Sequence, residues 1–285
     1  MSLRSGARPT STADGVWRGD FARALRAEWT MLRTAGETGR LLLIGLVLTA
    51  AVGGGSVKAV KCSDAGCGQD AVKLALTGVT VGQAVFAVFA VLAVSGEYAT
   101  GMIRTTLIAV PNRTTVLTVK ATILTAVVLA SLLAGRHILP GNGSTEAHGY
   151  APLSPADGPT LRAAVGSVLY LVLIALLGLG VATGVRDAAS AVGIVLGLLY
   201  LFPAVARVVG DPDWQRHLQQ ISPMTAGPAI QGTAHLHGLP IGAWAGLGVV
   251  AAWAAAALLV GGLVLHRRDA KPNRADRECG DLGSP

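Results

Sequence analysis

Long apolar runs separated by short polar stretches dominate the pattern along this chain. A helix needs about 20 mostly apolar residues to cross a bilayer. The pattern therefore predicts six transmembrane helices, at residues 41–57, 77–96, 114–134, 163–183, 188–206 and 241–265. Only residues 184–187 separate the fourth run from the fifth, which predicts a tight helical hairpin between them.

Residues 20–36 show the period of an amphipathic helix. Apolar side chains form one stripe, at Phe21, Leu25, Trp29 and Leu32. Polar and basic side chains occupy the opposite side, at Arg23, Arg26, Thr30 and Arg33. An amphipathic helix packed on the protein would also fit. Because this helix leads directly into a membrane run, the pattern favours a helix lying in the membrane interface.

Composition supports a membrane protein, because 52% of the residues are hydrophobic and the mean hydropathy is +0.55. The net charge of +7 does not indicate nucleic acid binding, since no basic face is interleaved with aromatic residues. Basic residues mark the cytoplasmic side of membrane proteins. An inside N-terminus places 16 of the 23 Lys and Arg residues on that side, so both termini are predicted to be cytoplasmic.

The predicted fold is an all-α membrane protein with six transmembrane helices preceded by an amphipathic interfacial helix. Residues 1–19 form a disordered cytoplasmic tail, 20–36 the interfacial helix, 41–266 the transmembrane domain and 267–285 a basic cytoplasmic tail. About 40 mostly polar residues precede the first run, which argues against a cleaved signal peptide. Abundant Ala, Gly and Arg favour a bacterial source, and hence the bacterial cytoplasmic membrane.

Cys62 and Cys67 fall in the first predicted outer loop, where a disulfide can persist. The sequence favours a disulfide between them over free thiols. A metal pair is the alternative, but no His or Asp stands at zinc spacing. Cys279 is expected to be reduced in the cytoplasmic tail.

The predicted spans carry little chemistry. Glu97 lies at a span end, and Lys120 is expected to extend its ammonium toward the cytoplasm. No buried acid or His marks a proton path, and no zinc-protease or hydrolase motif occurs, so neither enzyme activity nor a bound metal or cofactor is expected. Close helix packing is predicted at three Gly-x-x-x-Gly pairs, which are Gly180 with Gly184, Gly193 with Gly197, and Gly242 with Gly246.

The stretch SGEYATGMIRTTLIAVPNRTTVLTVKA, residues 95–121, concentrates charge between two apolar runs. Its cytoplasmic part combines an amphipathic pattern with Gly101 and Pro111 as helix breakers. A short helix that docks on a partner fits this pattern. A plain turn whose charges anchor the helix ends fits equally well.

This stretch resembles the segment between the second and third spans of bacterial type-2 ATP-binding-cassette (ABC) exporter permeases. The similar positions are Gly96, Glu97, Tyr98, Gly101, Ile103, Arg104, Thr106, Pro111, Arg113, Lys120 and Ala121. FARALRAEWTMLRT is similar to the family's N-terminal elbow helix, and QISPMTAGPAIQGT, residues 220–233, resembles its outer segment before the last span. The loop at 135–160 is longer than the family pattern.

The resemblance implies a permease subunit that lacks its own ATPase site and couples to a separate cytoplasmic ABC ATPase, which uses the ATP. It implies ATPase contacts at Glu97, Tyr98, Gly101, Ile103, Arg104 and Arg113. The path would form in a homodimer, or in a heterodimer with a homologous permease, surrounded by membrane lipid. Export of an apolar or amphiphilic cargo is expected. The alternatives are a non-transporting membrane scaffold, sensor or immunity protein, followed by an intramembrane enzyme.

Overall fold

The computed structural model describes residues 76–100, 113–138, 158–208, 210–232 and 241–268, together with helical residues at 25–26, 30, 40, 43–45, 47–49 and 51–52. Within these ranges the chain contains helices and connections but no strand. Cys62, Cys67, the tail at 1–19, residues 269–285 of the second predicted tail and most of the predicted interfacial helix lie outside the described residues. The first two residues of that second tail, 267 and 268, are the end of the last helix.

Five long helical regions form the part of the bundle that the structure describes. The first four are α1, Gly78–Thr100; α2, Arg113–Ile138; α3, Gly158–Val185; and α4, Ala188–Leu196, which continues through a π-helical turn at Gly197–Leu201 into α5, Phe202–Val208. Two short helices follow, α6 at Pro212–Ile221 and α7 at Pro223–Ala226, and α7 runs into a 3-10 turn at Gly227–Gln231. The chain then enters α8, Ala243–Arg268.

Four of the predicted spans correspond to helical segments long and apolar enough to cross a membrane: Gly78–Tyr98, Gly158–Val185, Ala188–Val205 and Ala243–Leu265. The predicted third span is helical as well, but its apolar part, Thr115–Ala130, is shorter. Only parts of the predicted first span are described. The all-helical membrane architecture is therefore supported, while the total of six spans and the side of each terminus stay predictions.

The centre of the bundle is α3, against which α1, α2 and α8 pack. Tyr170, Leu171 and Ile174 of α3 are fully buried, and Phe86 of α1 joins them in the core. Backbones of α3 and α8 approach closely at Gly180, where an added methyl group would lie 2.5 Å from the carbonyl carbon of Ala257. Small residues permit such contacts between helices in lipid.

A tight hairpin joins α3 to α4, as the sequence predicts. Arg186 has φ of 66°, in the left-handed region where residues other than glycine are strained. Its backbone N–H donates to the Ala182 carbonyl at 3.0 Å, and Asp187 begins α4 by accepting the Ser190 N–H at 2.8 Å. Hydrogen bonds from the Ser190 side chain and backbone lower the pKa of Asp187.

Residues 222–232, named here the buried segment, pack between α3 and α8. An added methyl group at Gly227 would lie 2.1 Å from Tyr170 Cε2, so glycine is needed for this contact. The guanidinium of Arg162 donates to the Gly232 carbonyl at 2.7 Å and holds the end of the segment. Tyr170 lies about 18 Å along α3 from its first residue, so the buried segment reaches well inside the bundle.

Candidate functional site

A buried ion pair joins the end of α1 to α2. The ammonium of Lys120 donates to Oε1 of Glu97, and the two residues are 6% and 2% exposed. The Lys120 ammonium therefore does not reach water, because the carboxylate of Glu97 on the neighbouring helix binds it inside the protein. Because the Glu97 carboxylate binds Lys120 and the residue is almost fully buried, little of Glu97 is accessible to a partner protein.

The ion pair joins two helices that both pack on α3, an arrangement that the spacing of residues in the sequence does not reveal. The closest packing partner of both α1 and α2 is α3, and Glu97 and Lys120 link the two helices directly on its flank. Ser95 and Thr115 are also buried on these helices. The ion pair therefore bridges α1 and α2, which both pack on α3.

Tyr98 adds a second connection at the end of α1. The guanidinium carbon of Arg186 lies 5.4 Å from the centroid of the Tyr98 ring, which is within the range of a cation–π interaction. Because Arg186 lies in the hairpin between α3 and α4, this contact joins α1 to a second membrane hairpin. Residues 97 and 98 thus connect one helix end to α2 and to the α3–α4 connection.

The predicted ATPase contacts are only partly described. Glu97 is buried and Tyr98 is half-buried, both in α1. Arg113 is the first residue of α2, and its backbone alone is described. Gly101, Ile103 and Arg104 lie outside the described residues. The predicted coupling segment, residues 97–113, therefore begins on α1 and ends on α2, which the buried ion pair connects, and its residues 101–112 lie outside the described residues.

Sequence reasoning missed a second polar cluster inside the bundle. The Tyr170 hydroxyl donates to Oε1 of the fully buried Gln83. The Tyr200 hydroxyl, in the π-helical turn, donates to the Thr80 carbonyl at 2.7 Å. These bonds attach α1 to α3 and to the fifth predicted span. A search restricted to ionisable groups overlooks them, although Gln83 stands out as an amide within an apolar run.

An apolar groove of about 610 Å³ lies between α3, the α4–α5 region and α8. The residues that line it are Leu177, Val181, Ile194, Gly197, Leu198, Leu201, Phe202, Val205, Trp253, Ala256, Ala257 and Val260. The indole N–H of Trp253 donates to the Ile221 carbonyl at 2.9 Å. The described lining therefore offers apolar contact area and contains no charged side chain, which suits an acyl chain, another apolar ligand or an apolar protein surface.

The described residues contain no group of three or more His, Cys, Asp or Glu side chains arranged to hold a metal ion. Comparison with protein-family models and with curated proteins finds no match. The resemblance to exporter permeases thus depends on the motifs in the sequence, and the functional assignment is a proposal.

Proposed function

We propose that this chain is the permease subunit of an ATP-driven ABC exporter in a bacterial cytoplasmic membrane. A separate ATPase would bind residues 101–112 and hydrolyse ATP. The buried pair of Glu97 and Lys120 carries the proposal, because it links the helices on either side of that segment. Because a buried ion pair adds little net stability, we take its role to be fixing the position of one helix relative to the other.

Three contacts would transmit a movement of residues 101–112 to the spans. The ion pair makes the ends of α1 and α2 move together. The contact of Tyr98 with Arg186 passes the movement to the hairpin between α3 and α4. Packing of α1 and α2 on α3 then carries it into the bundle. Stiff helices and packed cores convert local displacements into rigid-body movements of this kind.

The apolar groove supports an apolar or amphiphilic cargo. Its exposed wall includes Ile194, Leu201 and Val205, which a second copy or a homologous permease could cover to form a path. ATP binding belongs to the partner in this proposal, because the sequence contains no Gly-x-x-x-x-Gly-Lys-Ser/Thr loop.

Affinity purification from the native membrane tests the proposal. A tagged chain should co-purify with a protein that carries a phosphate-binding loop, and Arg104→Glu should weaken that association about tenfold to hundredfold. A charged hydrogen bond at a protein contact is worth about 1.5 to 3 kcal/mol, and reversing the charge adds repulsion. Arg267→Glu, an exposed position at the end of α8, is the matched control and should leave the association intact.

The internal contact requires a different variant. The exchange of Glu97→Lys with Lys120→Glu should preserve ATPase association while changing the ratio of ATP hydrolysed to cargo exported. A chain that is inserted normally but never associates with an ATPase would contradict the proposal and favour a scaffold, sensor or immunity protein.

A further inference from the structure

An exposed apolar stripe runs along α6, the helix between the fifth predicted span and the buried segment. Trp214, Leu218 and Ile221 stand at i, i+4 and i+7, so they share one face of the helix. Trp214 is 63% exposed and Ile221 is 51% exposed, whereas Gln219, on the far side of the helix, is half-buried. A helix surrounded by water would turn its apolar stripe toward the protein and leave the glutamine outside.

The end of α6 lies at the depth of a membrane-spanning helix. The indole N–H of Trp253 in α8 donates to the Ile221 carbonyl at 2.9 Å. Trp253 lies about 15 Å along α8 from its first residue, near the middle of the apolar segment Ala243–Leu265. Helical side chains point back toward the start of their helix, and the contact still places the Ile221 carbonyl beside this apolar segment.

Protein donors satisfy the carbonyls at this end of α6. The Thr225 hydroxyl donates to the Gln219 carbonyl, and Trp253 donates to the Ile221 carbonyl. The last carbonyls of a helix have no partner within the helix, and water often supplies one at an exposed end. The apolar part of a bilayer contains no water, so peptide groups there need protein partners. The two bonds therefore fit a helix end that lies in lipid.

The start of α6 has the opposite character. Asp211 caps the helix by accepting the Asp213 N–H at 2.9 Å, and both residues are exposed. Arg216 and His217 are exposed as well. Ionisable side chains thus belong to the first part of the helix, and the last four residues, 218–221, include none. Such a gradient matches a helix that descends obliquely from the headgroup level toward the acyl chains.

We infer that α6 inserts into the leaflet at which α5 ends, the outer leaflet in the predicted topology, and that phospholipid acyl chains cover the stripe of Trp214, Leu218 and Ile221. The neighbouring span supports this occupant. α6 packs against α5, and Val205, in the apolar segment Ala188–Val205, is 55% exposed. The stripe therefore continues a surface that lipid has to cover. The inference depends on the membrane location of the chain, so loss of ATPase association would leave it standing.

Nitroxide labels measure which medium surrounds each side of α6. The full-length chain, with its three native cysteines replaced by serine, carries one new cysteine at a time and is reconstituted into phosphatidylcholine vesicles. Oxygen, which partitions into lipid, should relax labels at Trp214→Cys and Ile221→Cys more than a water-soluble nickel chelate does. The order should reverse at Arg216→Cys. Leu259→Cys, exposed within the span of α8, is the lipid control, and Arg267→Cys is the water control.

Three results of this experiment would overturn the inference. Stronger relaxation by nickel at positions 214 and 221 would place the stripe in water. Labels at those positions that neither reagent reaches would show that protein, such as a second copy of the chain, covers the stripe. A preference for oxygen at position 216 as strong as at 221 would contradict insertion by one side of the helix.

A substitution with opposite effects in the two media provides a second measurement. Glutamine has a higher helix propensity than isoleucine, so Ile221→Gln should be neutral or slightly stabilising if position 221 lies in water. In lipid the amide lacks partners, and the folding equilibrium constant should fall about fivefold to hundredfold. Arg216→Gln is the matched control and should change that constant by no more than about twofold. Denaturant unfolding in phospholipid bicelles measures both variants, and a neutral Ile221→Gln would overturn the inference.

Discussion

At the scale of single residues, the pairing of Glu97 with Lys120 changes the meaning of both charges. A lysine near a span end ordinarily reaches water along its flexible stem. Here Lys120 is 6% exposed, and the partner that compensates it comes from another helix. The pairing depends on how α1 and α2 pack on α3, so no local pattern in either run could predict it.

Removing one member of the pair should cost more than removing both. Lys120→Met leaves a buried carboxylate and should lower the free energy of unfolding by about 3 to 5 kcal/mol. Combining it with Glu97→Leu should recover most of that loss, because the buried carboxylate is removed as well. Denaturant unfolding in detergent micelles measures both values. Equal losses in the single and double variants would show that the buried charge is not the cause.

The conformation of Arg186 provides a prediction independent of its charge. Arg186→Ala and Arg186→Gly both remove the contact with Tyr98, but only glycine adopts φ of 66° without strain. Arg186→Gly should therefore be the more stable variant by about 1 to 2 kcal/mol. Thermal unfolding of the two proteins side by side measures the difference. If alanine is tolerated as well as glycine, the hairpin does not hold this residue in the left-handed region.

At the scale of helices, the apolar runs predicted six membrane helices, because a lipid environment requires continuous apolar surface, and four of the six correspond to described helices long and apolar enough to span. The same runs did not indicate the π-helical turn at Gly197–Leu201 or the polar contact of Gln83 with Tyr170. Both depend on neighbouring helices. The buried segment was even harder to anticipate, since its Pro and Gly residues are typical of an exposed loop.

The Gly-x-x-x-Gly motif does not by itself predict close helix packing, because Gly180 has a close neighbour and Gly193 has none among the described atoms. The two positions therefore supply a matched experiment. Gly180→Ala would place a methyl group 2.5 Å from Ala257, and overpacking of this kind costs about 1 to 3 kcal/mol. At Gly193 an added methyl group meets no described atom within 4 Å, so Gly193→Ala should be neutral or stabilise the helix by up to about 1 kcal/mol. Denaturant unfolding in detergent micelles measures the stability of both variants. Equal changes in the free energy of unfolding for Gly180→Ala and Gly193→Ala would contradict the close packing of α3 on α8.

At the scale of the whole molecule, the sequence predicted a helical membrane bundle and a charged segment between two spans. The structure adds the buried ion pair of Glu97 with Lys120 and the apolar groove between α3, the α4–α5 region and α8. Each of these forms only where segments distant in the chain meet. Arg104 and the cysteines lie outside the described residues, so their predicted roles depend on motif and position alone.

Topology can be measured with the cysteines already in the chain. After mild reduction of intact cells, an impermeant thiol reagent should label Cys62 or Cys67 and leave Cys279 unlabelled, because the excess of basic residues predicts that both tails lie inside. A variant with Cys279→Ser confirms which site reacts. Labelling confined to Cys279 would reverse the orientation of the chain.

The buried segment sets an order for assembly during synthesis. Its peptide groups cannot enter lipid at low cost without protein partners, and α8, one of its two walls, is made after it. We expect residues 222–232 to wait at the membrane surface until α8 is inserted, and then to fold inward against Tyr170. A chain ending at residue 232 should therefore remain open to protease at this segment, whereas the full-length chain should be protected. Equal protection of the two would mean that α3 alone draws the segment in.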